Sequence, residues 1–487
     1  MKKYYKILSL LIIGAISSCS LLDVETISTI TGDGYWKSSG DVDSYLIGIY
    51  TKFRDVSNST AHFEDRGDAF VTGLEGGPSN LWAQNLTSQN GQSWGSYYTV
   101  IQHCNMLLKY APKVDYAISS DRDIAMAETY FIRACMYFNI ARTWGDAPIE
   151  LEPTEGSAKP KLPREPVSEV IEQALDDVDD AILKFGGNDS YIHGKSRASK
   201  PAAYALKADI LLWKAKVLGG TEQDFRDVVT YADMASKGLT LESDFSKIYD
   251  TQNRKGKEVI FAIHFEYMEK EGHYSQSLKP RDIFVEKAVN KDDIPYAKTG
   301  ARSTYAPSDK LIALFDKNPN DIRKKASVIV AIDNKGNVLG TFDNKMRGTG
   351  TPSDRTYDCD IIMYRLAEMH LFKAEAYAAL GDLPEAVSSL ETVRGRAGIG
   401  KYTGAMDRIS IEKEILDERA REFYLERKRW PDLMRFHSEG VIDIYDEVPN
   451  LKAKKDQGII IPLYCAIPLS DMDRNPNLKQ TLGYENL

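Results

Sequence analysis

The residues with the clearest potential for covalent chemistry lie at positions 91–95, which read G-Q-S-W-G. This pattern fits the nucleophile elbow of serine hydrolases, where a serine, here Ser93, sits at a sharp turn between a strand and a helix. The preceding residues, LTSQN, are polar and lack the pattern of a buried strand. A secreted serine hydrolase that uses Ser93 is therefore a weakly supported alternative, because five-residue patterns recur by chance.

Motifs for phosphate and metal ions are incomplete in this sequence. Residues 194–196 end like a phosphate-binding loop, but Asp189 stands where the first glycine is required. A calcium-loop pattern begins at Asp471, yet Pro476 replaces its glycine. The seven histidines do not show the H-E-x-x-H spacing of helical zinc sites. We therefore predict a protein that is not an enzyme, that has no cofactor and in which these motifs give no metal site; a metal ion that supports a loop stays open.

The composition and net charge of the chain limit the classes of partner that it could bind. The chain has 487 residues, of which 43% are hydrophobic and 27% are charged, as in a globular protein with a large core. Its net charge of −9 argues against a nucleic-acid partner, because phosphate binding requires a basic surface. The cysteines after residue 19 lack CxxC or zinc-finger spacing, so we expect buried free thiols, with a disulfide as the open alternative: Cys104, Cys135, Cys359 and Cys465.

The N-terminus has the pattern of an export signal. Lysines precede an apolar run at 7–16 that is too short to span a bilayer comfortably. Two serines then lead directly into Cys19, as in a bacterial lipobox. We predict a signal peptide over residues 1–18 and acylation of Cys19, with chains such as palmitate, which anchors the mature lipoprotein to a membrane. An ordinary signal peptide with an incidental cysteine is the alternative.

Periodicity predicts the elements that must position any site. Helices are predicted over 41–53, 125–143, 168–185, 201–218, 224–237, 366–380 and 384–396, and strands over 258–265 and 327–333. The last helix pair, joined at Gly381-Asp382, resembles a tetratricopeptide repeat. Loop-rich segments occupy about 54–95 and 240–360. The predicted fold class is mostly α, a tetratricopeptide-like helical-repeat scaffold with loop-rich insertions and a few short strands.

Segment 411–435 has the clearest helical pattern. Arg419 and Glu422 lie three positions apart, as do Glu426 and Arg429, so we expect these opposite charges to meet on the helix surface. A Trp-Pro pair is expected to interrupt the helix after them. Taken alone, the pattern predicts a salt-bridged amphipathic helix packed on a helical core. Its apolar residues form one stripe: Ile411, Ile415, Leu416, Ala420, Phe423 and Tyr424.

The same segment carries a family resemblance. Residues 418–435 resemble the motif ER-x-R-E-F…E…RW-x-DL-x-R, and residues 133–148 resemble RA-x-x-YF…WGD-x-P. Residues 360–376 match D-x-x-x-x-R-x-AE…L…AEA, and residues 467–484 match an IP…NP…Q…GY ending in which Thr481 replaces the usual asparagine. In number and order these motifs resemble the SusD/RagB family of outer-membrane nutrient-binding lipoproteins.

That resemblance implies a single SusD-like domain over residues 19–487. It also implies a lipid-anchored position on the outside of the outer membrane of Bacteroidetes-type bacteria. There the protein would cap a SusC-like TonB-dependent transporter and pass it captured oligosaccharides. An oligopeptide ligand is the alternative for the same role, and a helical-repeat adaptor without a small ligand is another.

Five residues are the candidate ligand contacts. Trp82 lies in a loop rich in Gly, Asn and Ser, and its indole could stack on a sugar or a peptide side chain. Asn85 and Arg66 could add hydrogen bonds, while Tyr274 and Tyr296 come from the second loop-rich region. Core packing is the alternative for each aromatic residue. Three other tryptophans occur in helical or family-like settings and are predicted to be structural: Trp94, Trp144 and Trp430.

Overall fold

The computed structural model describes residues 32–58, 61–156 and 160–484. The predicted signal peptide and Cys19 lie outside the described residues. The described chain is mostly helical, as predicted, with seventeen α-helices. They are α1 Gly32–Tyr35, α2 Ser39–Ser57, α3 Gly95–Tyr110, α4 Ser119–Trp144, α5 Val167–Phe185, α6 Lys200–Val217, α7 Glu222–Ser236, α8 Asp282–Val285, α9 Asp309–Asp316, α10 Ile322–Ser327, α11 Leu366–Leu380, α12 Leu383–Ala397, α13 Arg408–Glu422, α14 Arg429–Ser438, α15 Ile444–Glu447, α16 Pro449–Lys455 and α17 Leu469–Arg474.

Consecutive helices pack against each other in pairs. α4 packs on α5, α6 on α7, and α11 on α12. Contacts between α5 and α6 and between α7 and α11 join the pairs into one array. α13 packs on α11 and α12, while α14 packs on α6. The helical-repeat scaffold predicted from the sequence is therefore confirmed.

Turn chemistry explains why these segments pair. At the start of α7, the Asp224 carboxylate accepts the Thr221 N–H at 2.7 Å, one half of a capping box. Gly381 ends α11 with a φ of 79°, a conformation that side chains disfavour. Small side chains then allow α11 and α12 to approach closely, and these are fully buried: Ala374, Ala378 and Ala386.

The strands form four separate antiparallel ribbons in the described part of the chain. The eight strands are β1 Phe70–Thr72, β2 Val259–Ile263, β3 Tyr305–Pro307, β4 Val328–Ile332, β5 Val338–Asp343, β6 Thr349–Gly350, β7 Arg355–Thr356 and β8 Ile361–Arg365. They pair as β1 with β3, β2 with β8, β4 with β5, and β6 with β7. β2 and β4 confirm the two predicted strands.

The two segments predicted as loops contain more structure than expected. α2 continues to Ser57, a π-helical turn covers Ala61–Asp65, and residues 63–70 are buried rather than on the surface. Residues 240–360 contain α8 to α10 and β2 to β7. Of these elements only β2 and β4 were predicted. The short helices and the other strands have too few residues to give a clear periodic pattern, which is why the sequence did not reveal them.

The apolar stripe of 411–435 is buried as predicted, but its charges do not lie on the helix surface. Arg419 donates to Glu368 at 3.1 Å, and Glu422 accepts from Arg323 at 2.8 Å, so the predicted pairing of Arg419 with Glu422 is wrong. α13 also ends at Glu422, ahead of the predicted Trp-Pro interruption. The partners come from distant parts of the chain, which short-range spacing does not show.

These charges belong to a buried network, which we call the charged core: Glu258, Arg323, Arg365, Arg396, Glu418, Glu422 and Glu426. Arg365 Nη1 lies 2.9 Å from Glu258, and Nη2 lies 2.8 Å from Glu426. Burial alone would raise the pKa of Glu422, but Arg396, Arg365 and Arg323 lower it well below its ordinary value. Glu422 is therefore ionised and paired with arginines within the protein.

The turn between α13 and α14 is strained and held by the charged core. Leu425 and Arg427 have φ values of 63° and 64°, which cost roughly 1–3 kcal/mol each in a residue with a side chain. Glu426 lies between them and accepts from Arg365. Lys345 Nζ donates to the Glu422 carbonyl at 2.9 Å, at the C-terminus of α13. Such conformations persist only where the surroundings fix them.

Two further findings concern the helices as a set and the cysteines after residue 19. None of the helices in the described chain is both long and apolar enough to cross a membrane. The four cysteines are free and buried, so the free-thiol expectation is confirmed.

Candidate functional site

The six tryptophans differ in how deeply they are buried, which separates structural residues from those that a ligand could reach. Trp36 and Trp82 are half-buried. Trp36 packs against Tyr35, Tyr45 and Tyr110, and its ring stacks on that of Tyr110 at 5.5 Å between centroids. Trp82 has Tyr305 tilted against it at 6.4 Å, which leaves it better placed to stack on a ligand. The other four are buried and include the three predicted to be structural: Trp94, Trp144, Trp213 and Trp430.

Protein contacts fix Trp82 at its ring nitrogen and its backbone. Nε1 donates to the Phe70 carbonyl at 3.1 Å, and the backbone N–H donates to Ser79 Oγ at 3.1 Å. The Trp82 carbonyl accepts from Asn450 Nδ2 at 2.8 Å. Because these hydrogen bonds use the nitrogen edge and the backbone, they leave the faces of the indole for packing. A ring held in this way loses little freedom when a ligand stacks on it.

Behind Trp82, Ser79 and Tyr305 share one buried carboxylate, that of Asp65. Ser79 Oγ donates to Asp65 at 2.8 Å, and the Tyr305 hydroxyl donates to it at 2.9 Å. Burial raises the pKa of Asp65, and it raises the pKa of Tyr305 to about 12. The tyrosine therefore keeps its proton and remains a donor. The β1–β3 ribbon positions Tyr305 opposite Thr72.

Arg66 lies in the core and not on a surface that a ligand could reach. Its Nη2 donates to Gln84 Oε1 at 3.1 Å and to the Pro462 carbonyl at 2.9 Å. Gln84 lies between Trp82 and Asn85 in the chain, so Arg66 holds the loop from behind. The prediction of a ligand contact failed because the sequence does not show that Pro462 packs next to this loop.

Asn85 is exposed next to Trp82. Its N–H donates to the Asn80 carbonyl at 2.9 Å, which fixes the backbone. At the other end of the loop, a Cβ added to Gly73 would lie 2.4 Å from the Ser303 carbonyl oxygen, so only glycine fits there. We call residues 73–85 the Trp82 loop. Its backbone is held at several points while an indole and an amide remain accessible.

The two tyrosine candidates lie in different surroundings. Tyr274 is 8% exposed, and its hydroxyl donates to the Leu425 carbonyl at 2.6 Å, so it is a core residue. Tyr296 is half-buried and lines a cleft of about 260 Å³ together with Asp354. Trp82 is not among the residues that line this cleft. The five candidates therefore do not form one site, and Trp82, Asn85 and Tyr296 remain predicted ligand contacts.

Several residues that support the Trp82 loop were not selected from the sequence. They are Asp65, Ser79, Tyr305 and Asn450. Tyr305 stood among several scattered aromatics of the second loop-rich region, and nothing in its spacing distinguished it. The contacts that define its role join residues far apart in the chain, such as Asp65 and Tyr305.

Ser93 does not have the geometry of a nucleophile elbow. A 3₁₀ turn over Ser88–Asn90, not a strand, precedes it in the described segment before α3. Ser93 Oγ accepts the Gly95 N–H at 3.2 Å at the start of that helix. A strained strand-to-helix turn is what exposes the serine in such hydrolases. The position of Ser93 therefore favours a role in starting the helix.

Two family models match the sequence. The first is described as the SusD family and matches residues 229–484. The chain belongs to the SusD family. The second model matches residues 22–212 and is described as "Starch-binding associating with outer membrane".

Individual relatives agree with this assignment. SusD-like protein P38 of Formosa agariphila is 23% identical over an alignment of 531 positions that covers 99% of this chain and 100% of that protein. The starch-binding protein SusD of Bacteroides thetaiotaomicron is 35% identical over 144 residues, 28% of this chain and 24% of its own length. A SusD superfamily structure from Bacteroides fragilis has a TM-score of 0.82 at 25% identity and covers 93% of this chain and 100% of its own. The structure of NanU of Bacteroides fragilis has a TM-score of 0.80 at 24% identity and covers 95% of this chain and 100% of its own.

The SusD-like motif around α13 and α14 is structural in this chain. Its residues are almost fully buried: Glu418, Arg419, Arg421, Glu422, Phe423, Glu426, Arg429, Trp430, Asp432, Leu433 and Arg435. Arg429 pairs with Asp68 at 2.6 Å, and Arg435 pairs with Glu375 at 2.9 Å. This motif therefore identifies the scaffold of a SusD-family protein and does not identify its ligand.

Proposed function

We propose that this SusD-family protein is a nutrient-binding lipoprotein of the outer membrane that captures oligosaccharides at the cell surface. The observation that carries the proposal is the half-buried indole of Trp82, held by hydrogen bonds beside the exposed Asn85. An indole face stacks on the C–H surface of a sugar, while an amide binds hydroxyl groups. The description of the second family model and the name of the starch-binding relative support a saccharide ligand.

The captured ligand would be passed to a SusC-like TonB-dependent transporter. The helical-repeat scaffold offers a large, rigid surface for such a partner. A lipid tether at Cys19 would keep the protein and its ligand at high effective concentration near the transporter. Replacement of Cys19 by alanine should release the protein from the membrane fraction, whereas a mutant that stays anchored would exclude acylation at this residue.

An oligopeptide could use the same aromatic and amide groups, so the ligand class requires a direct test. We would isolate the protein from solubilised outer membranes through a C-terminal tag and record native mass spectra. The proposal expects a large membrane partner and bound masses that differ by hexose units. Heterogeneous peptide masses with the same partner would show that the ligand is a peptide and not a saccharide. Recovery of the chain without a membrane partner would overturn the transport role.

A further inference from the structure

A short turn after β2 brings three metal-binding side chains together. Residues 264–269 read HFEYME, and an antiparallel bridge between Glu266 and Lys270 closes the turn. One donor atom each of His264, Glu266 and Glu269 lies within 4.8 Å of the others. The three ligands fall within six positions of the chain, a spacing that differs from the helical H-E-x-x-H pattern.

The donor atoms have a spacing suited to a small divalent cation. His264 Nε2 lies 3.2 Å from Glu266 Oε2 and 3.9 Å from Glu269 Oε2. A tetrahedral Zn²⁺ site with bonds of about 2.0–2.1 Å places neighbouring donors roughly 3.3 Å apart. Small rotations of the two glutamates would therefore bring all three donors to bonding distance.

A carboxylate outside the trio orients the histidine. His264 Nδ1 lies 3.2 Å from Asp360 Oδ1. That oxygen is itself fixed by Arg254 Nη1 at 2.8 Å and by the Phe265 N–H at 3.0 Å. With Nδ1 donating to Asp360 and a metal ion in place of any proton on Nε2, the Nε2 lone pair would be directed at the ion between the glutamates. Metal-binding histidines are commonly oriented by such a carboxylate.

The three side chains are open to solvent. The exposed fractions of the His264, Glu266 and Glu269 side chains are 33%, 58% and 54%. Glu266 also lines a polar cleft of about 540 Å³, which leaves room for water to complete the coordination. Arg54 binds Glu269 Oε1 at 2.7 Å and leaves Oε2 directed toward His264. An ion could therefore enter without displacing buried structure.

We propose that His264 Nε2, Glu266 and Glu269 bind one divalent transition-metal ion of the Zn²⁺ class, with Asp360 as the positioning residue. One nitrogen and two carboxylate oxygens suit this class better than Ca²⁺, which prefers six or more oxygens. The site is independent of the proposed nutrient binding and would remain if that proposal failed.

The test is titration of Zn²⁺ into the chelator-treated mature chain, prepared without a polyhistidine tag, by isothermal calorimetry. We expect one equivalent to bind. His264→Ala should weaken binding by at least ~10-fold, and Glu266→Gln should also weaken it. His193→Ala is the matched control, because His193 is an exposed histidine about 4.0 Å from another glutamate, Glu128. Equal binding by wild type and His264→Ala, or equal losses in both histidine variants, would overturn the proposal.

A second measurement does not depend on the folding of a variant. Wild-type crystals soaked in Co²⁺ should show an anomalous peak within bonding distance of His264 Nε2. A peak elsewhere, or none at this turn, would show that the trio is only a cluster of ion pairs. Binding of Ca²⁺ without Zn²⁺ would contradict the assigned class of metal.

Discussion

The charged core and the Trp82 loop both place polar groups beside aromatic rings. In the charged core these groups are buried, whereas in the Trp82 loop the aromatic ring is partly exposed. In the charged core, Arg365 lies between three buried glutamates and 4.6 Å from the Phe423 ring centroid. Its contacts are made entirely within the protein. In the Trp82 loop, Asn450 and Ser79 bind the backbone of Trp82, and the indole is only partly buried.

The comparison shows that the most recognisable residues are buried in ion pairs, whereas the proposed ligand contact Trp82 lies outside the family motifs. The charged residues of 411–435 carry the family resemblance because they fix how the helices pack. Trp82 belongs to no such motif, and its setting became clear only from its contacts. We therefore infer that the charged core specifies the fold and that the Trp82 loop specifies what is bound.

The largest expected effect comes from breaking the charged core with Arg365→Met. This change leaves Glu258, Glu422 and Glu426 buried with fewer cations, and loss of one partner of a buried ion pair costs about 3–5 kcal/mol. Urea denaturation should show a corresponding fall in the free energy of unfolding. Loss of soluble protein would be the extreme form of the same result.

Arg226→Met is the matched control for that change. Arg226 pairs with Glu222 at 3.3 Å on the surface of α7, where solvent screens the interaction. The Arg226→Met variant should unfold at nearly the same urea concentration as the wild type. If the two variants were destabilised equally, the charged core would not have the structural role assigned to it.

A pH-dependent effect is expected at Glu64, which lies next to the charged core. The Leu425 N–H donates to Glu64 Oε1 at 3.2 Å, but burial raises the pKa of this carboxyl to about 8. The folded protein keeps this proton between about pH 4.5 and 8, whereas the unfolded chain loses it. The contribution of Glu64 to stability is therefore full at low pH and is lost as the pH rises through 8.

Glu64→Gln should remove this dependence, because the amide cannot ionise and its oxygen can accept the same N–H. At pH 8.5 the variant should be more stable than wild type by a few kcal/mol, on the order of 1.4 kcal/mol per unit of pKa shift, with little difference near pH 4.5. Thermal melts across this range would show it. The exposed Glu286 supplies the control, Glu286→Gln, which should follow the wild-type pH profile. Parallel profiles for wild type and Glu64→Gln would show that Glu64 is ionised in the fold.

A smaller, local effect on stability and hydrogen exchange is expected in the Trp82 loop. Gly73→Ala places a Cβ 2.4 Å from the Ser303 carbonyl oxygen, and such overpacking typically costs about 1–3 kcal/mol. Hydrogen exchange should become faster at the Glu75 N–H, which donates to Ser303 at 2.9 Å. Gly48→Ala is the control, because nothing lies within 4 Å of its added Cβ. Unchanged exchange in Gly73→Ala would mean that the Trp82 loop is not rigidly held.

The fold could be predicted from the sequence to a large extent, because helices of fifteen or more residues leave a clear periodic pattern. α11 and α12 were placed to within one residue at each end. The short helices α8 to α10 were missed because one or two turns leave too little pattern. The charges of 411–435 were placed on the surface because spacing within a helix says nothing about partners such as Glu368 and Arg323.

The candidate site was predicted in part. Trp82 and Asn85 are accessible, and Tyr296 lines a cleft. Arg66 and Tyr274 are held in the core by hydrogen bonds to backbone carbonyls, whose positions depend on the complete fold. An exposed and a buried side chain of the same type look alike in a single sequence, so only the folded chain could separate them.

The most direct test of the account is calorimetric titration of the mature chain with a panel of soluble oligosaccharides, with Trp82→Ala and Trp36→Ala in parallel. We predict that one saccharide class binds and is recovered intact. Trp82→Ala should weaken this binding by about tenfold or more while the protein remains folded, and Trp36→Ala should bind like wild type. Equal affinity of Trp82→Ala and wild type, or cleavage of the bound saccharide, would contradict it.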